Sequence, residues 1–214
     1  MMSPLNTLLL DIQRALLDAV VAQLRAVTAD VDIKDKKLIL YFFYDGEISD
    51  ELFDLVSVAA TEAGGTLSDY FTDEHCLRLD YPKKIPIQGR LVYLRKEPIP
   101  QEYKRYEIPS PSERLIPIAA LLLHMQQALL GKVTPDLRAV AGDIDPVKKT
   151  GVCQFYYDQE ISEESVKLAT AATEEVRKGL PDYRIEIRLV RSEFPEKISI
   201  GNGRYAYFRK EPRS

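Results

Sequence analysis

Residues 44–49 read Tyr-Asp-Gly-Glu-Ile-Ser, and residues 157–162 read Tyr-Asp-Gln-Glu-Ile-Ser, 113 positions later. The same spacing relates the Leu-Arg-Ala-Val segment at 24–27 to an identical segment at 137–140. Matches that keep one register between the two halves of a chain indicate an internal repeat. The chain therefore consists of two copies of one unit.

The sequence Arg-Lys-Glu-Pro lies near the end of each copy, at 95–98 and again at 209–212. The stretch after the first of these segments is rich in proline and polar residues, which favours an extended, stiff connection. Because the repeat is much longer than that of a solenoid, each copy should form a domain with its own core. We predict a first repeat at 1–98, a Pro-rich linker at 99–112 and a second repeat at 113–214.

The pattern within one copy predicts a helix, two strands, a second helix and two more strands. Apolar residues recur at helical spacing from Leu5 to Leu24, and a second helix should begin after Ser49 and after Ser162. Runs of β-branched and aromatic residues between turn residues predict the strands, with the last two strands of each copy paired as a hairpin. The expected fold class is α+β, a tandem αββαββ duplication in which each four-stranded antiparallel sheet carries two helices on one face.

The composition excludes several classes of protein. The chain has 214 residues, 29 basic and 33 acidic, and a net charge of −4, which argues against nucleic acid as the main partner. Its apolar runs are too short to span a membrane, and its first residues lack the pattern of a signal peptide. With only Cys76 and Cys153, no disulfide framework is expected. These observations favour a cytoplasmic protein with no membrane partner.

The residues that could perform chemistry do not form a reactive set. His75 and His124 occupy unrelated positions in the two copies, and with two separate cysteines they are too few for a metal site. His75 and Cys76 are neighbours on a predicted strand, so their side chains point to opposite faces. No phosphate-binding loop or dinucleotide fingerprint is present. We expect no catalytic residue, no cofactor and no metal.

The duplicated acidic segment is the strongest local signal. Its carboxylates lie at a turn from strand to helix, where they either cap the helix or form a patch that binds a partner. The candidate partner-binding acids are Asp45, Glu47, Asp50, Glu51, Asp158, Glu160, Glu163 and Glu164. In the first copy, a second strand face made of Ile39, Tyr41 and Phe43 is unusually aromatic. That face lies between the copies, in a partner site, or on an ordinary solvated sheet.

Two stretches carry a resemblance to a known group of proteins. Residues 41–49 and 154–162, each followed by Ala-Ala-Thr-Glu, together with Leu-Leu-Gly-Lys-Val-Thr-Pro at 129–135, are similar to bacterial immunity proteins of polymorphic or contact-dependent toxin systems. The resemblance implies a non-catalytic protein that neutralises a toxin by binding it. It further implies a basic toxin as partner, the acidic turns as its binding surface, and Tyr44 and Tyr157 as aromatic anchors.

The residues themselves leave two alternatives open. A tandem-repeat structural or adaptor protein would use the duplication in place of a homodimer, with the two repeats packed as a pseudo-dimer. A carboxylate-based hydrolase would place its site between the copies. For the hydrolase, the residues to examine are Glu47 and Glu160 of the acidic turns, whereas stable self-association without a foreign protein would favour the adaptor.

Overall fold

The computed structural model describes residues 3–99, 101–103, 108 and 116–211. Its helices and strands follow the predicted order twice, which confirms the duplicated α+β class. The elements of the first copy are α1 (Pro4–Ala15), β1 (Leu24–Asp32), β2 (Lys37–Tyr44), α2 (Asp50–Gly64), β3 (Phe71–Arg78) and β4 (Arg90–Leu94). Those of the second copy are α3 (Pro117–Leu129), β5 (Leu137–Asp145), β6 (Thr150–Tyr157), α4 (Glu163–Gly179), β7 (Arg184–Arg191) and β8 (Arg204–Phe208). Most of the predicted linker, 99–112, lies outside the described residues.

The two sheets are mixed rather than wholly antiparallel. Their strand orders are β3-β2-β1-β4 and β7-β6-β5-β8, and β2–β3 and β6–β7 are parallel pairs. The helix between the paired strands explains this arrangement, because a crossover helix returns the chain to the starting end of the sheet before the next strand begins. The predicted hairpin of the last two strands is wrong for the same reason. β3 and β4 occupy opposite edges, as do β7 and β8.

The helices cover one face of each sheet, as predicted. Alternate residues of β2, such as Leu38, Leu40 and Phe42, point to this side and are fully buried with Leu8 and Ile12 of α1. The buried apolar residues form one continuous cluster that includes side chains of both copies. The opposite sheet face has its own small clusters, and in the first copy Phe43 lies there beneath Ile85. This cover buries Phe43 and leaves Ile39 and Tyr41 half-buried, which explains why β2 is apolar on both sides.

The first helix ends at Ala15, so it is shorter than the apolar pattern up to Leu24 predicts. The apolar residues that follow leave the helix and contact the second copy instead. Asp18 has φ +61° and donates its backbone N–H to the Phe208 carbonyl at 3.0 Å, and Lys210 N–H donates to the Val20 carbonyl at 3.0 Å. The apolar periodicity up to Leu24 therefore reflects burial between the copies as well as the helix.

These contacts between the copies have counterparts on the other side. Gly131 N–H donates to the Leu94 carbonyl at 2.8 Å, and Lys96 N–H donates to the Val133 carbonyl at 3.2 Å. Two buried glutamines that match in sequence also cross between the copies. Gln13 Nε2 donates to the Leu122 and Ala206 carbonyls at 3.1 and 3.2 Å, and Gln126 Nε2 donates to the Leu9 carbonyl at 3.1 Å.

Candidate functional site

The acidic turns begin α2 and α4 with the same type of cap. Ser49 Oγ accepts a hydrogen bond from Leu52 N–H at 3.3 Å, and Ser162 Oγ accepts one from Ser165 N–H at 3.0 Å. The acids of each first turn follow directly, where they complement the positive end of the helix dipole. Capping therefore accounts for the position of Asp50–Glu51 and Glu163–Glu164 but leaves their side chains exposed to solvent.

Asp45 and Asp158 are held inside the protein framework. Asp45 accepts hydrogen bonds from Tyr81 N–H at 3.0 Å and from the Arg95 guanidinium at 2.9 Å. In the second copy, Asp158 accepts the same two bonds from Phe194 N–H at 2.7 Å and Arg209 at 2.6 Å. Both carboxylates thus tie the segment after the third strand to the end of the fourth.

These bonds also set the charge of the two aspartates. The hydrogen bond from Arg95 lowers the pKa of Asp45 despite its partial burial. Burial acts in the opposite direction on Asp158, but the hydrogen bonds from Arg209 and from Phe194 N–H outweigh it and lower the pKa of that carboxyl too. Both groups therefore stay ionised, and each is already bound to a cation.

A buried arginine lies beside each of these aspartates, and sequence reasoning did not single it out. Arg25 is 1% exposed and binds Glu97 through two parallel bonds of 2.6 and 2.8 Å. It also donates to the Leu79 carbonyl at 2.6 Å and the Lys83 carbonyl at 3.0 Å. A buried guanidinium needs a paired anion and filled donors, and this site supplies both.

Arg138 repeats this arrangement in the second copy. It binds Glu211 at 2.5 and 2.8 Å and donates to the Ser192 and Glu196 carbonyls at 2.6 and 3.0 Å. The duplicated Leu-Arg-Ala-Val and Arg-Lys-Glu segments contain both partners of each pair. Their recurrence together was the signal in the sequence that could have revealed the pairing.

Tyr44 and Tyr157 do not lie on the surface. They are 1% and 2% exposed, and both belong to the core beneath the helices. Tyr157 donates its hydroxyl to the Ser165 carbonyl at 3.3 Å, and burial raises the pKa of both phenols. The predicted role as partner anchors is therefore corrected. Alternation along β2 and β6 places these two side chains on the helix side of the sheet.

The remaining acids of the turns are exposed, but they differ between the copies. Glu47 extends into solvent, with Arg78 3.9 Å away. Glu160 is exposed as well, whereas Glu164 forms an ion pair with Lys96 of the other copy. The structure thus separates the ten predicted residues into two buried tyrosines, two aspartates bound within the framework, and six exposed acids, of which Glu164 pairs with Lys96.

The outer side of α2 adds apolar surface next to these acids. Phe53 is 55% exposed and Val58 is 57% exposed, and the two side chains lie on the solvent side of α2, about one and a half turns apart. The helix contains four carboxylates and no basic residue, whereas α4 contains Lys167, Arg177 and Lys178 as well as its acids. We call the set Glu47, Asp50, Glu51, Phe53, Asp54 and Val58 the α2 face.

The described residues contain no cluster of three or more His, Cys, Asp or Glu side chains that could hold a metal ion. Cys76 and Cys153 are separate free thiols. Burial raises the pKa of Cys153 to about 12, so this thiol stays protonated and is a poor nucleophile. Among the same residues, no helix is both long and apolar enough to cross a bilayer.

The fold and these sites define a duplicated α+β protein with an acidic and apolar helix face in one copy. A family model described as MafI2 immunity protein matches the chain twice, over residues 5–97 and 118–211. Since the two matches cover most of the sequence and each spans one copy, the chain belongs to the MafI2 immunity protein family. No curated protein matches it.

Proposed function

We propose that the protein neutralises a bacterial toxin in the cytoplasm by binding it directly, without a reaction of its own. Membership of an immunity protein family supports a toxin as partner. The observation that carries the proposal is the α2 face, which joins exposed Phe53 and Val58 to a surrounding group of carboxylates. Interfaces of this kind combine an apolar anchor with charges that guide association.

The chemistry of the α2 face favours a basic toxin surface. Glu47, Asp50, Glu51 and Asp54 are exposed, α2 itself contains no basic residue, and Arg78 of β3 lies 3.9 Å from Glu47. The electrostatic field of a surface with charges mostly of one sign attracts an oppositely charged partner and raises the association rate at low salt. Phe53 then replaces the buried Tyr44 as the aromatic anchor. The exposed acids of the second copy, Glu160, Glu163 and Glu164, are a secondary surface in this proposal.

The two copies have different roles in this proposal. We interpret them as domains at 1–98 and 113–214 that pack as a pseudo-dimer. The reciprocal hydrogen bonds to Leu94 and Phe208, and the crossed pair Gln13 and Gln126, support this interpretation. The second copy would hold the first in a fixed orientation, so that the α2 face is presented on a rigid support.

Charge reversal in matched positions tests the proposal. The variant D50K/E51K changes the first copy, and E163K/E164K changes the corresponding positions of the second. With the toxin that the host co-produces, titration calorimetry should show binding weakened by about 100-fold for the first variant and less than about fivefold for the second. Raising the salt concentration should reduce the difference.

A pair of apolar variants separates charge from contact. Phe53→Ala should weaken toxin binding by at least about tenfold, whereas Val166→Ala at the matching position of α4 should have little effect. Thermal unfolding of each variant checks that the fold is retained. Equal affinity of the wild type, D50K/E51K and Phe53→Ala would refute the α2 face as the binding surface.

A further inference from the structure

A groove of about 500 Å³ lies where the two copies meet. Both copies line it with matching residues, among them Val20 and Val133. The two Arg-Lys-Glu segments, which are far apart in the sequence, reach the same groove through Arg95–Lys96 and Arg209–Lys210. The duplication therefore brings four basic side chains to one cavity, which two carboxylates, Asp45 and Glu97, also line, in a protein whose net charge is −4.

The basic side chains of the groove keep unused donor capacity. Each arginine pairs with two carboxylates of its own copy, Arg95 with Asp45 and Glu97, and Arg209 with Asp158 and Glu211. Lys96 has three donors and one carboxylate partner, Glu164. For Lys210, no carboxylate of the described residues lies at ion-pair distance. The two lysines thus offer charge and hydrogen bonds that the protein itself does not use.

Two tyrosines extend this donor set into the groove. Tyr93 and Tyr207 occupy matching positions on β4 and β8, each is only 7% exposed, and both line the cavity. Within the described part of the chain, neither hydroxyl has a hydrogen-bond partner. Although the two side chains are largely buried, neither hydroxyl oxygen is itself fully enclosed, so both remain accessible from the groove and can donate to a ligand there. A ligand with acceptor oxygens would satisfy both.

We propose that this groove binds an oxyanion, a ligand that bears carboxylate or phosphate groups. Lys96 and Lys210 bind its charge, and the hydroxyls of Tyr93 and Tyr207 donate to its oxygens. The apolar walls around Val20 and Val133 bind the rest of the ligand, and the cavity has the size of a small-molecule site. The site is separate from the α2 face and does not depend on the proposed toxin binding.

The experiment compares two probes with the same acceptor chemistry. Inorganic pyrophosphate represents a free small anion, and an acetylated tetra-aspartate peptide represents an acidic protein segment. Calorimetric titration of the full chain in about 0.15 M salt, where nonspecific attraction is screened, should give saturable one-site binding of at least one probe with Kd below about 1 mM.

Three variants locate the binding. K96Q/K210Q should weaken it by at least about tenfold, since it removes two charge-assisted donors. Y93F/Y207F should weaken it by at least about threefold and removes only the hydroxyls, which keeps the test valid if the first variant loses stability. K34Q/K37Q changes two exposed lysines outside the groove and should leave Kd unchanged.

Each outcome decides one question. Binding of both probes, or of one alone, supports the site, and the preferred probe identifies the source as a free anion or an acidic segment. If neither probe binds at concentrations up to about 10 mM, the proposal is overturned. So would a loss of affinity that is the same in K34Q/K37Q as in K96Q/K210Q.

Discussion

The two copies share their interior and differ on their surfaces. Arg25 and Arg138 form the same paired and fully bonded arrangement, and Asp45 and Asp158 accept the same two hydrogen bonds. On the outer sheet face the correspondence ends. Tyr41 stacks on His75 with ring centroids 4.5 Å apart, while the matching pair in the second copy is Gln154 and Arg188.

This contrast shows what each part of the duplicated unit must satisfy. A buried ion pair that loses one partner leaves an uncompensated charge, so the fold requires both members in both copies. An exposed face has no such requirement and is free to change, as the outer sides of α2, which is acidic, and of α4, which carries both charges, have done. In our proposal, toxin binding therefore depends on the first copy, whose α2 face is acidic.

Breaking the shared interior should have the largest effect. Arg25→Met and Arg138→Met each remove the buried cation that forms two bonds with Glu97 or Glu211, and leave these largely buried carboxylates only the more exposed Arg95 at 3.2 Å or Arg209 at 3.7 Å. We expect each variant to lower the free energy of unfolding by about 3–5 kcal/mol, with similar values for the two copies. Urea denaturation followed by circular dichroism measures this change.

An exposed arginine in the first copy provides the control. Arg78 pairs with Asp80 at the surface, so Arg78→Met should leave stability unchanged within error. If Arg25→Met lowers the free energy of unfolding no more than Arg78→Met does, the buried arginine does not stabilise the fold as proposed.

The sequence was sufficient for the order of elements because the repeat supplied each pattern twice. It was insufficient for the sheet topology, since nothing in Phe71–Arg78 distinguishes pairing with β2 from pairing with β4. The candidate site was likewise predictable from the sequence only in part. Exposure of Glu47 follows from a polar turn, but the burial of Tyr44 depends on which face α2 covers. The groove at Tyr93 and Tyr207 requires knowledge of how the copies pack.

A histidine present in one copy only should make that copy sensitive to acid. Burial lowers the pKa of His124 to about 4 from an ordinary 6.5, and its Nε2 atom has no hydrogen-bond partner among the described residues. Above pH 6.5 the imidazole is neutral in both the folded and the unfolded chain, so it does not reduce the free energy of unfolding. Between pH 6.5 and 4 the unfolded chain takes up a proton that the folded chain does not, so stability falls as the pH is lowered.

The variant His124→Gln isolates this effect. Because His124 is partly exposed, solvent screening reduces the full linkage value, and we expect the wild type to lose about 2 kcal/mol more than the variant between pH 7 and pH 4. Urea denaturation at both pH values measures the difference. Identical pH dependence of the two proteins would show that another group controls acid stability.

The smallest expected effect concerns the turn where each copy contacts the other. Matching positions hold Asp18 with φ +61° and Gly131 with φ +68°, a conformation that glycine adopts at no cost and other residues adopt at some cost. Gly131→Ala should therefore destabilise the protein by about 1 kcal/mol. Its added Cβ would lie 3.7 Å from Leu94, an ordinary contact, so the cost comes from the backbone alone.

The reciprocal change tests why the first copy keeps an aspartate there. Asp18→Gly relieves the same backbone cost but removes the long hydrogen bond, 3.3 Å, that Asp18 Oδ1 accepts from Glu211 N–H. Since so long a bond contributes little, we expect a net gain of about 0.5 kcal/mol, measured by thermal unfolding. A loss of stability instead would mean that the aspartate holds the end of β8, and with it Glu211, in position to bind Arg138.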